Sequence, residues 1–408
     1  MRLEGLSAAV VLACAATPVA GRGEPNPFFD DLSGVVTVGP AIGSGETSWT
    51  RGGLGKLQTD DRAQIAASAI LVWRGQFGPR LGAVVSTDLQ SLGDPSAGLD
   101  EAYVTLRPAP GAVRMSARAG LFFPPASLEH DGSEWSVVRT LTPSAINSWL
   151  AEEVKVAGVE ATVRTDVAGR PVGLTAAAFQ GDDTSGALLF FRGWALHDLR
   201  SNLGGSFKLP PTPNQFLGKQ NQSTQPVDEV DGRWGAYARL DYAPSQTLAL
   251  NAFVYGNNGD RTSVVQGQYA WRTRFVQVSA RWAPFDDVEV LAQTVTGETA
   301  MGAAVNGLDP ADVGFAATYL LVTRRFARGS GTVRIDQFSV SDRTFKAIDN
   351  NAERGWAATV VWSAPISQRS ELIAETIFAS SERPDRLRLG AAADQDSLQV
   401  RTAFRTAF

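Results

Sequence analysis

The amino-acid sequence predicts an all-β fold, namely a transmembrane antiparallel β-barrel of about 16 strands with long extracellular loops. Three observations favour this fold class. Apolar and polar residues alternate over segments of about ten residues, which is typical of strands that cross a membrane. Aromatic residues recur at the ends of these segments, beside short turns. An export signal opens the sequence, yet no later apolar run reaches the ~18 residues that a membrane-spanning helix needs.

The first residues have the pattern of a cleavable signal peptide. Arg2 precedes an apolar stretch over residues 6–16, and small residues follow it. A basic start, a short apolar core and small residues near a cleavage site are typical of export signals. We therefore predict a signal peptide over residues 1–21 and interpret residues 22–408 as one barrel domain. The run that ends at Cys14 also resembles a lipobox, so a lipidated Cys14 is the alternative mature N-terminus.

Alternation is clearest in the closing segment, residues 396–408. An apolar face toward lipid and a polar face toward a water-filled lumen would produce this pattern. The segments 246–255 and 353–364 repeat it. In the closing segment one face carries Leu398, Val400, Thr402, Phe404, Thr406 and Phe408, and the other carries Gln399, Arg401 and Arg405.

Several segments end in an aromatic residue that is followed within a few positions by Pro or Gly. Proline fixes φ for a turn and ends the ladder of backbone hydrogen bonds. Rings at one end of each strand would form the aromatic girdle at a membrane interface. We expect the short turns to face the periplasm and the longer links, which are rich in Asp, Asn, Gly and Ser, to face outward. The predicted girdle residues are Trp73, Tyr242, Trp282, Phe326, Trp362 and Phe408.

The strand count follows from the short turns. Seven predicted hairpins supply fourteen strands. An opening strand near 35–41 and a closing strand over 396–408 bring the count to sixteen, with both termini in the periplasm. The segment 186–196 could form a further strand, but it breaks the order of short and long turns. We assign it to a long outer loop over 182–231, partly helical and folded into the pore. The predicted hairpins cover 62–89, 99–122, 152–181, 232–257, 269–299, 312–342 and 353–380.

A soluble β-propeller is the structural alternative, because aromatic strand ends recur about every 40 residues. A propeller blade holds four short strands in that length, whereas this sequence shows two long ones. The closing phenylalanine, Phe408, also has no role in a propeller. The barrel is therefore the favoured fold.

Two stretches carry a resemblance to known families. The closing run LQVRTAFRTAF resembles the terminal strand that outer-membrane barrels present to the barrel assembly machinery. The run GLFFPPASLE resembles a motif of the phosphate-selective porin O and P family, and the residues that carry the resemblance are Gly120, Phe122, Pro125 and Glu129. That resemblance implies a sixteen-stranded, often trimeric channel that prefers anions. The basic residue that follows the first glycine in that family is Leu121 here.

The sequence offers little for catalysis, metals or cofactors. Its two histidines, His130 and His197, fall in predicted loops, and no Gly-x-Ser-x-Gly motif is present. Apart from Cys14 there is no cysteine, and the histidines lack the spacing of metal ligands. A formal net charge of −5 argues against a strongly basic nucleic-acid binder. We therefore predict no catalytic residues, no metal, no cofactor and no nucleic-acid partner.

Arginines on the inward face of the predicted strands are the candidate pore-lining residues. Rows of arginine along a water-filled wall would attract and relay anions through weak, multiple sites. Alternatively, they pair with lumen carboxylates such as Asp241, Glu289 and Asp336 and only satisfy the wall. The sequence leaves both interpretations open. The predicted pore-lining residues are Arg114, Arg118, Arg233, Arg239, Arg281, Arg334, Arg401 and Arg405.

These observations predict a porin of the cell outer membrane through which small hydrophilic solutes diffuse passively. Anion preference is a hypothesis, and no enzyme activity is expected. The expected partners are the lipid bilayer, the barrel assembly machinery, the solutes and two further copies in a homotrimer. The alternatives are a substrate-selective channel for phosphate or organic acids and a barrel enzyme or adhesin.

Overall fold

A computed structural model shows one closed barrel of sixteen antiparallel strands. It describes residues 32–92, 96–212, 220–304, 306, 309–344 and 350–408. The predicted signal peptide, residues 1–21 with Cys14, lies outside the described residues.

Each strand pairs with its neighbours in the chain, and all seven predicted hairpins are confirmed. The sixteen barrel strands are β1 (Leu32–Ser44), β2 (Gln64–Gln76), β3 (Leu81–Gln90), β4 (Ser96–Leu106), β5 (Arg114–Phe122), β6 (Val156–Val167), β7 (Arg170–Gln180), β8 (Gly235–Tyr242), β9 (Leu248–Gly256), β10 (Arg272–Phe285), β11 (Val288–Met301), β12 (Ala311–Phe326), β13 (Gly329–Asp342), β14 (Glu353–Pro365), β15 (Ser370–Glu382) and β16 (Asp394–Ala407).

Short helices and small sheets lie between the strands. The two α-helices are α1 (Ala145–Leu150) and α2 (Ser185–Phe191). Among the described residues, no helix is long and apolar enough to cross a membrane. The remaining elements are 3₁₀ turns at Trp49–Arg51, Ser133–Trp135 and Pro384–Leu389 and two-residue strand pairs at Phe207–Lys208 with Ser223–Thr224 and at Val264–Val265 with Gln268–Tyr269.

The barrel closes between its first and last strands. β1 pairs with β16 in antiparallel register, with Val38 opposite Phe404. The backbone N–H of Gly34 donates to the carbonyl of Phe408 at 3.1 Å, and the reverse bond has the same length. The last residue therefore completes the ladder, and closure leaves the sheet without an unpaired edge. We refer below to this end as the short-turn end and to the opposite end as the long-loop end.

The outer surface of the wall is apolar, as the alternating pattern predicts. On β14, Trp356, Val360 and Trp362 point outward and are exposed, whereas Ala357 and Thr359 point inward and are buried. Successive side chains of a strand face opposite sides of the sheet, so one strand serves two environments.

The expectation of a polar inner face is wrong for one side of the barrel. Phe253, Phe275, Phe315 and Leu321 point inward from β9, β10 and β12, and all are buried. The physical reason is that this side of the wall faces protein instead of water. Inward aromatic and aliphatic side chains pack there against α1 and α2 in the main hydrophobic core.

Candidate functional site

Two long inserts occupy the barrel lumen, which is the candidate site. The first insert, residues 123–155, connects β5 to β6 and contains α1. The second insert, residues 181–212, follows β7 and contains α2. Every residue of both helices is buried. We refer to the two inserts together as the plug.

Local capping explains where α1 begins. The Oγ of Ser144 accepts the backbone N–H of Asn147 at 3.3 Å, which is the usual role of serine before a helix. The N–H of Ser144 donates to Glu129 Oε2 at 3.0 Å, and that of Ala145 donates to Asp336 Oδ1 at 3.0 Å. These buried carboxylates satisfy amides that no helical carbonyl can reach.

The two inserts are bound to each other. Trp149 Nε1 donates to the carbonyl of Ser185 at 3.1 Å. Arg192 Nη1 lies 2.6 Å from Glu153 Oε1, and His197 Nε2 lies 2.8 Å from the same oxygen. All these side chains are almost fully buried, so the inserts form one packed unit.

One side of the plug meets the wall mainly through apolar contacts, beside hydrogen bonds from Gln277 and Gln293 to the carbonyl of Ala126. The ring of Trp149 lies 5.7 Å from that of Phe275 and 5.1 Å from that of Phe315, between centroids. Trp194 packs at 6.0 Å from Phe315. Aromatic pairs in this range add to the free energy gained from burying their area. We call this side, along β9 to β12, the apolar interface.

Another side of the plug meets the wall through polar contacts. The backbone N–H groups of Leu141 and Thr142 donate to Glu375 Oε2 at 2.7 and 3.0 Å. Arg401 Nη1 donates to Thr142 Oγ1 at 3.2 Å, and its Nη2 lies 2.9 Å from Asp198 Oδ2. We call this side, along β15 and β16, the polar interface.

Buried charges also tie the plug to β4. Asp100 is fully buried and accepts Lys155 Nζ at 2.7 Å and Arg200 Nη1 at 2.8 Å. Both cations belong to the plug, one from each insert. Each charge is expensive to bury alone, so the three-way contact fixes the position of both inserts.

Halfway along the lumen, strands all around the wall carry inward-facing side chains that are buried. Each is at most 8 % exposed, and several bond directly to the plug, so the plug fills the middle of the lumen in this structure. These residues are Ser86, Asp100, Glu160, Thr175, Phe253, Gln293, Tyr319, Asp336, Thr359, Glu375 and Arg401.

Six of the eight arginines predicted to line the pore lie on the inner side of the wall and are paired with carboxylates of the wall or of the plug. This matches the second of the two interpretations drawn from the sequence. The pairs are Arg118 with Glu160 at 2.8 Å, Arg239 with Asp241 at 2.6 Å, Arg281 with Asp131 and with Glu289 at 3.6 Å, Arg334 with Asp336 at 2.7 Å, Arg401 with Asp198 at 2.9 Å and Arg405 with Glu371 at 3.4 Å.

The other two predicted arginines differ from these six. Arg233 lies before β8 in a loop, and its half-exposed side chain is 3.2 Å from Asp260. The prediction that Arg233 faces the lumen from a strand is wrong, because β8 begins only at Gly235. Arg114 opens β5, points inward and is exposed.

Arg114 lies directly opposite Arg164 across β5 and β6. Both side chains are exposed, and neither has a carboxylate partner among the described residues. Like charges placed directly opposite each other on a sheet are destabilising. Sequence analysis missed Arg164; the inward phase of β6, once its start at Val156 is known, would have found it.

This arginine pair lines an open pocket of about 370 Å³ at the short-turn end of the lumen. Arg239 and Arg281 line it as well, with Asp131 and Asp241 as its only acidic residues. Four arginines against two aspartates give the lining a formal net charge of +2. The pocket can therefore attract anions from the solution at that end.

His130 is buried and takes part in a Ser-His-Glu arrangement. Its Nδ1 lies 2.9 Å from Ser127 Oγ, and its Nε2 lies 2.8 Å from Glu152 Oε1. However, Ser127 Oγ already accepts the backbone N–H groups of Glu129 and His130. Both acceptor positions of the hydroxyl are thus used within a turn. The contacts of Ser127 and His130 therefore stabilise the local conformation of the plug.

A group of three carboxylates at the long-loop end was not visible in the sequence. Asp183, Glu229 and Asp231 bring oxygen atoms within 4.8 Å of one another, a spacing at which they could hold a metal ion. Burial, together with the neighbouring Glu229 and Asp231, raises the pKa of Asp183 to about 7. The backbone N–H of Val230 donates to Asp183 Oδ2 at 2.7 Å and partly offsets that rise.

The predicted girdle residues lie on the barrel wall at the short-turn end. Trp282 and Trp362 are about half exposed, at 48 and 44 %. The ring centroids of Phe326 and Trp362 are 5.6 Å apart, on neighbouring hairpins. Tyr242 and Phe408 are exposed to a similar degree, and Trp73 less so.

Comparisons with known proteins agree with this architecture. No protein-family model matches the chain, and no curated protein sequence matches it. Among solved structures, it is similar to the outer membrane channel DcaP of Acinetobacter baumannii, at 13 % identity and a TM-score of 0.59, over 92 % of this chain and 96 % of that one.

Two further solved structures are similar. The anion-selective porin from Comamonas acidovorans has 13 % identity and a TM-score of 0.53, over 92 % of this chain and 98 % of that one. OmpT lacking loop L8, an outer membrane protein of Vibrio cholerae, has 8 % identity and a TM-score of 0.51, over 93 and 98 %. The chain therefore has the fold of the outer-membrane porins.

Proposed function

We propose that this protein is an outer-membrane porin through which small hydrophilic solutes diffuse passively, with a preference for anions. The porin fold, its apolar outer surface and its exposed aromatic rings support a position in the outer membrane. With an even number of strands, the short-turn end then faces the periplasm and the long-loop end faces outward.

The observation that carries the anion preference is the cross-strand pair of Arg114 and Arg164. The six paired arginines of the predicted set are neutralised by carboxylates, whereas these two are not. They lie in the open pocket at the periplasmic mouth, where a fixed positive charge raises the local concentration of anions. A pathway with a weak anion site at one mouth favours anion flux without trapping the solute.

Reversal potentials in planar bilayers test this preference. Under a salt gradient, the wild type should reverse at a potential of the sign expected for anions. The double variant Arg114→Gln with Arg164→Gln should shift that potential toward zero. A control double variant, Arg274→Gln with Arg354→Gln, removes two exposed arginines from the outer surface and should leave the potential unchanged. Equal permeability in the wild type would refute the anion preference while keeping the channel.

A selective channel for phosphate or organic acids is the second candidate function. The volume and the +2 lining of the pocket favour it, because they suit a small solute with more than one negative charge. Selectivity of this kind would appear as a chloride current that phosphate blocks at saturating concentration. A current that phosphate leaves unchanged would favour general diffusion.

Two partners belong to the same proposal. We infer that the barrel assembly machinery recognises the last strand, β16, which ends in Phe408. We further infer a homotrimer, as the family resemblance implies. Chemical cross-linking in outer-membrane preparations should yield a three-chain species, and a single-chain band alone would contradict the trimer.

A further inference from the structure

We propose that solutes cross the lumen along the polar interface between the plug and strands β15 and β16, and that Leu141 gates this route. The inference rests on the proposed channel function and adds a route and a gate to it. It follows from three features of the described residues: the different chemistry of the two sides of the plug, a small separate apolar cluster, and an open pocket below that cluster.

The apolar interface cannot become a water-filled route easily. Trp149, Trp194, Phe275 and Phe315 share one continuous core with α2, and all are buried. Moving the plug away from this side would expose aromatic surface to water, and nothing would replace the lost contacts. This side therefore stays closed while the plug remains folded.

The polar interface differs because water can replace its contacts. Arg401, Asp198, Thr142 and Glu375 bind across it through hydrogen bonds and one ion pair. Further toward the long-loop end, β16 is bound by the segment between β1 and β2, where Thr59 Oγ1 donates to Gln399 Oε1 at 2.7 Å. Water molecules form the same kinds of hydrogen bond, so opening this side exchanges partners instead of losing them. Glu375 Oε1 and Gln399 Nε2 even lack a partner among the described residues and would gain one.

One apolar cluster interrupts this polar interface. Leu141 of the plug contacts Val361, Ile373 and Ala403 of the wall, and these four residues form a cluster separate from the main core. Each of the four is at most 5 % exposed. A short apolar constriction in an otherwise polar path excludes water until it widens, which is how hydrophobic gates work.

An open pocket lies on the periplasmic side of this cluster. It has a volume of about 280 Å³ and is lined by Arg405 and Glu371, which lie next to Ala403 and Ile373 on the inner face of their strands. The order along the wall is thus the open pocket, the apolar cluster, the buried pair of Arg401 and Asp198, and Gln399. Along the wall, the four-residue cluster thus lies between the pocket and the buried polar contacts, beside the hydrogen bond from Arg405 to the carbonyl of Thr140 at 3.1 Å.

Two matched leucine variants test the gate. Leu141→Ala shortens the one plug side chain of the cluster, whereas Leu150→Ala makes the same change at the end of α1 in the main core. In planar bilayers, Leu141→Ala should raise the open fraction of single channels severalfold over the wild type. Leu150→Ala should leave the open fraction at the wild-type level. The opposite order, or two unchanged variants beside a conducting wild type, would overturn the gate.

Cysteine labelling tests the route without measuring current. Thr142→Cys lies in the polar interface, and Thr299→Cys lies against Gly186 of α2 on the other side; both threonines are fully buried. Each is made with Cys14→Ala, so that one thiol is present. A charged thiol reagent should label Cys at position 142 in folded protein, faster when Leu141→Ala is added, and should not label position 299.

The two experiments separate the possible failures. A protein that conducts but is labelled at position 299 and not at 142 overturns the polar route and keeps the channel. A folded protein that is labelled at 142 but passes no current, with or without Leu141→Ala, overturns the proposed function and keeps the polar interface as a path for water.

Discussion

Arg334, on the inner face of β13, lies 3.2 Å from Glu129 in the first insert of the plug. The same guanidinium binds Asp336 at 2.7 Å and the carbonyl of Thr142 at 2.8 Å. All three charged side chains are at most 1 % exposed. One wall residue thus holds the plug by several charge-assisted hydrogen bonds, away from water.

Removing this contact should destabilise the folded barrel. Arg334→Gln leaves two buried carboxylates without their cation, which costs about 3–5 kcal/mol of unfolding free energy. Arg354→Gln is the matched control, because Arg354 pairs with Glu382 on the outer surface and is 80 % exposed. Exposed pairs contribute little, so the control should match the wild type. Urea unfolding in detergent, followed by heat-modifiable gel mobility, measures both; equal midpoints would contradict the buried anchor.

Trp362 and Trp149 should respond differently to lipid. Trp362 is exposed on the barrel wall near a short turn, whereas Trp149 is buried in the plug. Lipids brominated near the headgroup quench only nearby indole rings. Trp362→Phe should therefore lower the fraction of tryptophan fluorescence that these lipids quench, and Trp149→Phe should not lower it. No change in Trp362→Phe would argue against the girdle.

The segment held by Asp183, Glu229 and Asp231 at the long-loop end should become less stable as the pH rises. The pKa of Asp183 is about 7 in the folded protein, above the usual value of 3.8 for aspartate. Folding therefore favours the protonated form, and the stabilisation present at low pH is lost as pH rises toward and through 7. Limited proteolysis of the second insert should accelerate as the pH rises from about 4 to about 7, the interval between the two pKa values. Asp183→Asn should remove this dependence, and an unchanged dependence in that variant would assign it to another group.

Phe408 should matter more for assembly than for stability. Its backbone completes the ladder with Gly34, and its ring lies over that glycine on the outer surface. Phe408→Ala keeps the backbone bonds, so refolding in detergent should proceed as in the wild type. In cells, the variant should accumulate less folded protein in the outer membrane. Equal cellular amounts would contradict recognition of this strand by the assembly machinery.

The wall of the barrel was predictable because its signal is local. Alternation with period two places Trp356 and Val360 on one face of β14 whatever lies inside the barrel, and short turns fix the pairing of neighbours. The lumen was not predictable in the same way. The apolar run over 313–322 results from β12 facing lipid on one side and the plug on the other.

The contacts of the plug depend on residues that are far apart in the sequence. Nothing near Arg401 in the sequence indicates Asp198, and nothing near Arg334 indicates Glu129. The inserts also lack a clear period, because their helices are short and buried on every side. Seven of the eight predicted arginines lie on the inner wall and Arg233 does not, and the carboxylate partners of six of the seven emerge only when the chain closes into a barrel.

Solute flux into liposomes tests the channel most directly. Purified, folded protein in liposomes should allow small sugars and amino acids to enter, at rates that fall as the solute grows, and Leu141→Ala should raise these rates. Liposomes that stay impermeable to every solute, with both the wild type and Leu141→Ala folded and heat-modifiable, would contradict the proposed porin function.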